Sequence, residues 1–219
     1  MEAQARDIDL EAPFDRMDGR ALGPWTLRIT DWRRETESGW RRFHLALVDE
    51  AVVFPTSLME GVYSFGGRGV EPWIEVLAYR PRLEAEGRTA DLTENGLETD
   101  LFVNLGQLIP PGGHLMVGCE NEPQRDTYQA LRVGVPPAAT PLGSVLYHAG
   151  FPRIRFFDLA EGGWEGQQKL WAERPLDAAM DRDWRRGTLD TLRRFVDEDP
   201  EAEPARQCIP IACDILERG

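Results

Sequence analysis

The amino-acid sequence predicts a mixed α/β fold: one sheet, largely antiparallel at its start, with helices packed on it. Three observations lead there. Up to about residue 80, short runs alternate apolar and polar residues, the period-2 mark of half-buried strands. From residue 95 onward, apolar residues recur at helical spacing and alternate with strand-like runs. Proline and glycine separate the segments. Antiparallel strands followed by alternation predict one mixed sheet with helices on it. Residues 1–219 read as a single domain, with 1–20 a polar lead-in and 197–219 a C-terminal tail.

The elements follow in order. Trp25, Leu27 and Ile29 alternate with Thr26, Arg28 and Thr30, which predicts a strand. Phe43, Leu45 and Leu47 repeat the pattern across Arg41 to Val48. Asp49-Glu50 suits a turn, and Ala51 to Phe54 a short returning strand ended by Pro55. Gly66-Gly67-Arg68-Gly69 precedes an apolar strand from Trp73 to Tyr79, which Pro81 ends. Asn95 with Glu98 has the form of a helix N-cap and its reciprocal partner. Leu97, Leu101, Leu105, Leu108 and Ile109 then carry the helix to Pro110-Pro111-Gly112-Gly113. His114 to Cys119 reads as a buried strand. Pro123 opens a helix with Tyr128 and Leu131 on one face and Gly134 as its stop. Thr140 caps a short helix from Pro141, with Leu142, Val145, Leu146 and Ala149 facing inward and Gly150 at its end. Arg153 to Leu159 and Gln168 to Glu173 form a strand and its return around Glu161-Gly162-Gly163. Asp177 opens a last amphipathic helix through Trp184, Leu189, Leu192 and Val196, and an acidic loop at 197–204 leads to a short tail. Trp25, Trp73, Trp171 and Trp184 read as core residues by periodicity.

Composition narrows the function. The formal net charge is -13, a field that repels nucleic-acid phosphates and anionic lipid, so neither is an expected partner. No run of about 18 apolar residues predicts a membrane span. The acidic N-terminus lacks the apolar stretch of a signal peptide. Cys119, Cys208 and Cys213 cannot build a disulfide framework, so a reducing cytoplasm is the expected setting. No histidine lies near Cys208 and Cys213, and no two histidines show metal-ligand spacing, so no metal site is expected. His114 and Cys119 are five apart in one strand and face opposite sides. Lys169 is the one lysine beside 24 arginines, which GC-rich coding explains better than a set of bidentate anion clamps does.

Residues 97–174 hold a helix, a Pro-Gly-Gly turn, a strand, a helix ending in Gly-Phe and a final hairpin. This order resembles the closing section of the acyl-coenzyme A-dependent N-acetyltransferase family. Leu142 to Phe151 resembles its helix, with Ala149-Gly150-Phe151 at the end. The resemblance implies a tyrosine general acid, whose nearest counterpart is Tyr147. It lies three residues before Gly150 where the family has four, a difference of about 100° around a helix. The family holds the coenzyme pyrophosphate between its long central strand and the next helix. Here that connection is Arg80 to Asn95, without the family's Arg/Gln-x-x-Gly-x-Gly/Ala pattern, and its Gly87-Arg88 are the candidate cofactor-binding residues. Ile109 to Val117, with Ala149-Gly150-Phe151 and the following hairpin, also resembles the S-adenosylmethionine-dependent methyltransferases. That likeness implies a parallel sheet and a glycine-rich strand–turn–helix near the N-terminus. Gly66 to Gly69 precedes a strand instead. The whole chain resembles an uncharacterised archaeal and bacterial family of unknown function associated with the acetyltransferase-like fold, through Glu71-Pro72-Trp73-Ile74-Glu75, the Pro-Gly-Gly strand, and Glu161-Gly162-Gly163-Trp164-Glu165-Gly166.

Acyltransferase chemistry then assigns roles. A base such as Glu120 deprotonates an amine, which attacks the thioester of acetyl-coenzyme A. Backbone N–H groups stabilise the oxyanion, and Tyr147 protonates the departing thiolate. Trp164 walls a pocket for a small-molecule amine, which Glu165 orients. Each residue also has a plain structural reading. Glu120 and Glu122 suit a helix N-terminus because the dipole favours acids there. Gly66 to Gly69 could cradle phosphate or form a simple turn, and Trp164 could pack on the sheet. His44, His148 and Ser144 read as ordinary strand and helix residues. A third reading is a binding module on a transferase-like scaffold without its cofactor site, for which a missing cleft between the Trp73 and His114 strands would be the sign.

Overall fold

The computed structural model describes residues 16–34, 40–49, 52–54, 56–64, 71–85, 87–119, 124–158, 168–198 and 200–218. Among them, one mixed sheet organises the chain. Its strands are β1 (Ala21–Leu22), β2 (Trp25–Arg34), β3 (Arg41–Asp49), β4 (Val52–Val53), β5 (Met59–Ser64), β6 (Trp73–Tyr79), β9 (His114–Gly118), β10 (Arg153–Asp158) and β11 (Gln168–Glu173). The order across the sheet is β1-β2-β3-β5-β6-β9-β11-β10, with β4 paired onto β3. Only β6 and β9 run parallel among these pairs. The parallel sheet implied by the methyltransferase likeness is therefore absent from the described residues.

Two parts of the sheet region depart from the sequence expectation. Met59–Ser64 is a full strand between β3 and β6, and β7 (Arg82–Ala85) with β8 (Arg88–Asp91) is a separate hairpin. Gly61 breaks the alternation within β5 for a packing reason. A Cβ at that position would lie 2.3 Å from the Glu75 carbonyl oxygen and 2.6 Å from the Phe43 ring, so the strands approach this closely only over glycine.

The helices are α1 (Leu97–Leu108), α2 (Arg125–Arg132), α3 (Pro141–His148), α4 (Ala178–Asp197), α5 (Glu203–Arg206) and α6 (Ile209–Arg218), with a short 3-10 turn at Pro137–Ala139. The Thr140 hydroxyl accepts from the Gly143 N–H at 3.2 Å, and the Asp177 carboxylate accepts from Ala179 and Met180 at 2.9 Å, as their cap positions predict. The expected Asn95/Glu98 cap is not formed. Asn95 and Gly96 both take left-handed backbone angles, and the Glu98 carboxylate accepts instead from the Tyr79 hydroxyl at 2.7 Å.

Helices α1 and α3 seal one face of the sheet. Ile74, Val76, Leu115, Val117, Leu170 and Ala172 on that face pack with Leu101, Phe102, Leu105, Leu142 and Leu146. A second cluster lies beyond α3, where Ala138, Tyr147, Leu192, Phe195, Cys208, Ala212 and Ile215 meet. The segment expected to be a tail therefore contains α6, whose apolar side is buried in this cluster. The four tryptophans expected in the core are each half-buried. By register, Trp73 and Trp171 belong to the sheet face opposite α1.

Candidate functional site

The sheet face opposite α1 carries the polar chemistry. Directly paired residues point to the same side of a sheet. One row across this face is Trp73, His114, Glu173 and Arg153. The next is Glu75, Met116, Trp171 and Arg155, and Lys169 and Phe157 follow. Alternation in β6, β9, β11 and β10 places an acid, a base or an aromatic at most of these positions, while the intervening residues are apolar, sealed in β6, β9 and β11 and half-buried in β10.

These side chains interlock along diagonals. The His114 ring stacks on Trp171 with centroids 4.3 Å apart and planes at 25°. Phe157 lies on Trp171 at 5.5 Å. Glu173 pairs with both Arg153 and Arg155. The Arg153 guanidinium sits 5.2 Å from the Trp184 ring, joining α4 to the sheet. Lys169 and Glu75 form an ion pair with both side chains largely buried. A cleft of about 280 Å³ opens beside His114, walled by Glu71, Trp171, Arg174, Leu176 and Trp184. Arg174 is engaged with the carbonyl oxygens of Gly106 and Ile109 at the C-terminus of α1. Glu71, with its side chain 76% exposed, has the His114 Nδ1 at 3.7 Å and no other ion-pair partner among the described residues. Burial holds the His114 pKa below its ordinary value, and the charge of Arg155 adds to that, although Glu71 and Glu173 act the other way. The ring is therefore neutral at pH 7 and presents both a donor and an acceptor nitrogen.

The second region of interest is the end of the central parallel pair. β6 and β9 pair from Trp73↔His114 to Val76↔Val117 and no further, while β6 continues to Tyr79. Opposite β5, Gly61 pairs with Val76 and Glu60 with Ala78, so Leu77 is an extra, bulged residue, 46% exposed. Gln124 is buried beside this end. Its Nε2 donates to the Tyr79 carbonyl at 3.4 Å, and its Oε1 has no hydrogen-bond partner among the described residues.

Of the predicted site residues, Gly87, Arg88 and Tyr147 fall among the described residues, and they stand in separate places. Gly87 turns the exposed β7–β8 hairpin at φ +78°, and Arg88 pairs with Asp49 at 2.8 Å. Tyr147 points into the second cluster, with the Arg185 guanidinium 5.4 Å from its ring. Glu120, Glu122, Trp164, Glu165 and Gly66 to Gly69 lie outside the described residues. The residues that bracket two of these segments are joined, since the Cys119 N–H donates to the Gln168 carbonyl at 2.9 Å. No group of three or more His, Cys, Asp or Glu able to hold a metal occurs among the described residues. Likewise, no helix is long and apolar enough to cross a membrane. Arg155, Glu173 and Trp184 were not singled out as site residues, and Glu71 entered only through the Glu71-Pro72-Trp73-Ile74-Glu75 likeness. The readable signal was the alternation of arginine with Ile154 and Phe156 in β10.

Comparison with known proteins places this fold without giving it an activity. The chain is similar to a solved protein of unknown function, AQ1966 from Aquifex aeolicus VF5, with a TM-score of 0.62 and 21% identity. The likeness covers 91% of this chain and 93% of that one, and at such identity it shows the fold alone. No curated protein matches. Residues 33–198 match the family described as protein of unknown function, DUF1122, which covers well over half of the chain. The chain belongs to that family.

Proposed function

We propose that this member of the DUF1122 family is a small-molecule-binding protein on an N-acyltransferase-like scaffold. Its ligand is an amine that also bears an acid group, held in the cleft beside His114. The observation that carries this reading is the set of groups around that cleft. Glu71 offers a carboxylate for an ammonium, Arg155 and Arg174 offer positive charge for an acid, and Trp171 and Trp184 wall an apolar body. A cleft of about 280 Å³ suits a molecule the size of an amino acid.

A second reading, N-acyl transfer from acetyl-coenzyme A, is favoured by the bulge at Leu77, where β6 runs on past β9. A bulge re-aims backbone groups at such an edge. The start of α1, where the connection that carries Gly87 and Arg88 ends, offers a pyrophosphate little. At the start of α1 the N–H groups of Leu97 and Glu98 already donate to Glu94 and Leu92 carbonyls, at 3.3 and 3.0 Å. Glu98 and Asp100 add negative charge in the same turn, where a phosphate needs free N–H groups and none.

Thermal denaturation tests both. Phenylalanine should raise the melting temperature more than phenethylamine or phenylpropionate, and Glu71→Gln should remove its advantage over phenylpropionate. No shift with any of the three would sink the binding reading. Acetyl-coenzyme A and S-adenosylmethionine belong in the same series, since a ligand at a hundred times its dissociation constant adds roughly 2.7 kcal/mol. A shift with acetyl-coenzyme A alone would put acyl transfer first, and one with S-adenosylmethionine alone would overturn both readings.

A further inference from the structure

The pocket around Tyr147 has a different electrostatic character from the rest of the chain. It encloses about 290 Å³ and is lined by Tyr147, His148, Arg185, Leu189, Ile215 and Arg218. Three elements converge there: the end of α3, the middle of α4 and the end of α6. Every ionisable group on its wall is a cation, a histidine or a phenol, in a chain whose net charge is -13. The nearby carboxylates bind the arginines from outside the lining. Asp181 accepts from the Arg185 Nε at 3.0 Å, and Asp214 pairs with an Arg218 Nη at 2.8 Å and faces the His148 Nε2 at 3.7 Å.

From this geometry we propose that the Tyr147 pocket binds a small oxyanion, a carboxylate or phosphate group carried on a short apolar body. A guanidinium has five N–H donors in a planar fork. One edge of each arginine is held by its aspartate, which fixes the side chain and leaves further donors for a ligand. Such bidentate recognition of planar oxyanions is the strength of arginine. Leu189 and Ile215 supply the apolar floor. Burial lowers the His148 pKa, and Arg218 and Arg185 lower it further against the pull of Asp214. An anion seated between the arginines offsets that repulsion, so binding raises the pKa of His148.

The test uses the full chain with inorganic phosphate and, separately, butyrate, each against sodium chloride at equal ionic strength. The chain has three histidines, so the His148 ring proton can be followed by NMR through a pH titration. The anion that binds should move the His148 titration to higher pH. Arg218→Gln, at an exposed helix end, should weaken that anion by about 10-fold or more, the loss expected for one charge-assisted hydrogen bond. Arg186→Gln, outside the pocket, should bind as the parent does. Phosphate and butyrate shifts separate the two sources of oxyanion. No shift beyond chloride with either anion, or an unchanged response in Arg218→Gln, would overturn the proposal.

Discussion

The two faces of the same three strands, β6, β9 and β11, are built to different rules. Toward α1 and α3, β6, β9 and β11 present Ile74, Val76, Leu115, Val117, Leu170 and Ala172, all sealed from solvent. Toward the other side the same strands present Trp73, Glu75, His114, Met116, Lys169 and Trp171, most of them half-open and several paired through charge. A fold needs only the first face to stay folded. Lining a surface with a stacked histidine, two ion-pair systems and three indoles costs desolvation and rotamer entropy that apolar residues would avoid. Such groups on one side of a sheet suit the ligand cleft proposed beside His114, so stability falls to one face and the proposed binding to the other.

The largest effect should come from the sealed side. Phe102 is fully buried in α1, edge-on to Tyr79 with centroids 5.3 Å apart. Phe102→Ala should cost about 3–5 kcal/mol in urea unfolding, through lost burial and an unfilled cavity. Trp171→Ala, on the other face, should cost clearly less despite the larger side chain, because that ring is half-open. Equal losses would break the division between the faces.

The Glu75–Lys169 pair lies on the binding face and is largely buried, which makes it the place where the two rules meet. Lys169→Met strands a carboxylate, and the loss should be about 1–3 kcal/mol, below the roughly 3–5 kcal/mol of a fully buried pair. Adding Glu75→Leu should return most of that stability. If the double variant stays as weak as the single one, the pair is structural and the binding face is narrower than proposed.

The sealed face was the legible one. Periodicity in Leu97 to Ile109 marks which residues point inward, because burial acts on each residue separately, and the apolar runs Trp73 to Tyr79 and His114 to Cys119 mark strands, though Trp73 was read to the wrong face. The caps at Thr140 and Asp177 were legible for the same reason, since each is a contact over two or three residues. Met59–Ser64 was missed because Gly61 interrupts its alternation for the sake of Glu75 and Phe43, which lie 14 and 18 positions away in sequence. The candidate cleft was hidden in the same way. Nothing local says that β11 inserts between β9 and β10, and only that order sets Trp171 against both His114 and Phe157. Tyr147 was found by likeness to a family motif, but the packing of α4 and α6 over α3 turns it into another pocket.

The smallest effect sharpens the edge between the faces, where Tyr79 leaves the sheet and meets α1. Burial raises the Glu98 pKa above its ordinary 4.5, and Asp91 adds to the rise, while the Tyr79 hydroxyl bond opposes it. Burial and the Glu98 charge in turn hold the Tyr79 pKa well above 10, so its hydroxyl stays protonated and donating. A carboxyl whose folded pKa is raised binds more protons in the folded state than in the unfolded one. Its stabilising contribution is complete below pH 4.5 and fades as pH rises through the folded value. Glu98→Gln keeps an acceptor for Tyr79 and cannot ionise. Its stability relative to the parent should therefore increase as pH is raised from 4 toward 7 and then level off. The change is on the order of 1 kcal/mol or less, comparable to one hydrogen bond. Tyr79→Phe should steepen the same dependence in the parent, because it removes the bond that holds the Glu98 pKa down. A pH-independent difference between Glu98→Gln and the parent would mean that Glu98 is not desolvated. The start of α1 would then be open enough to water for a phosphate site to be reconsidered there.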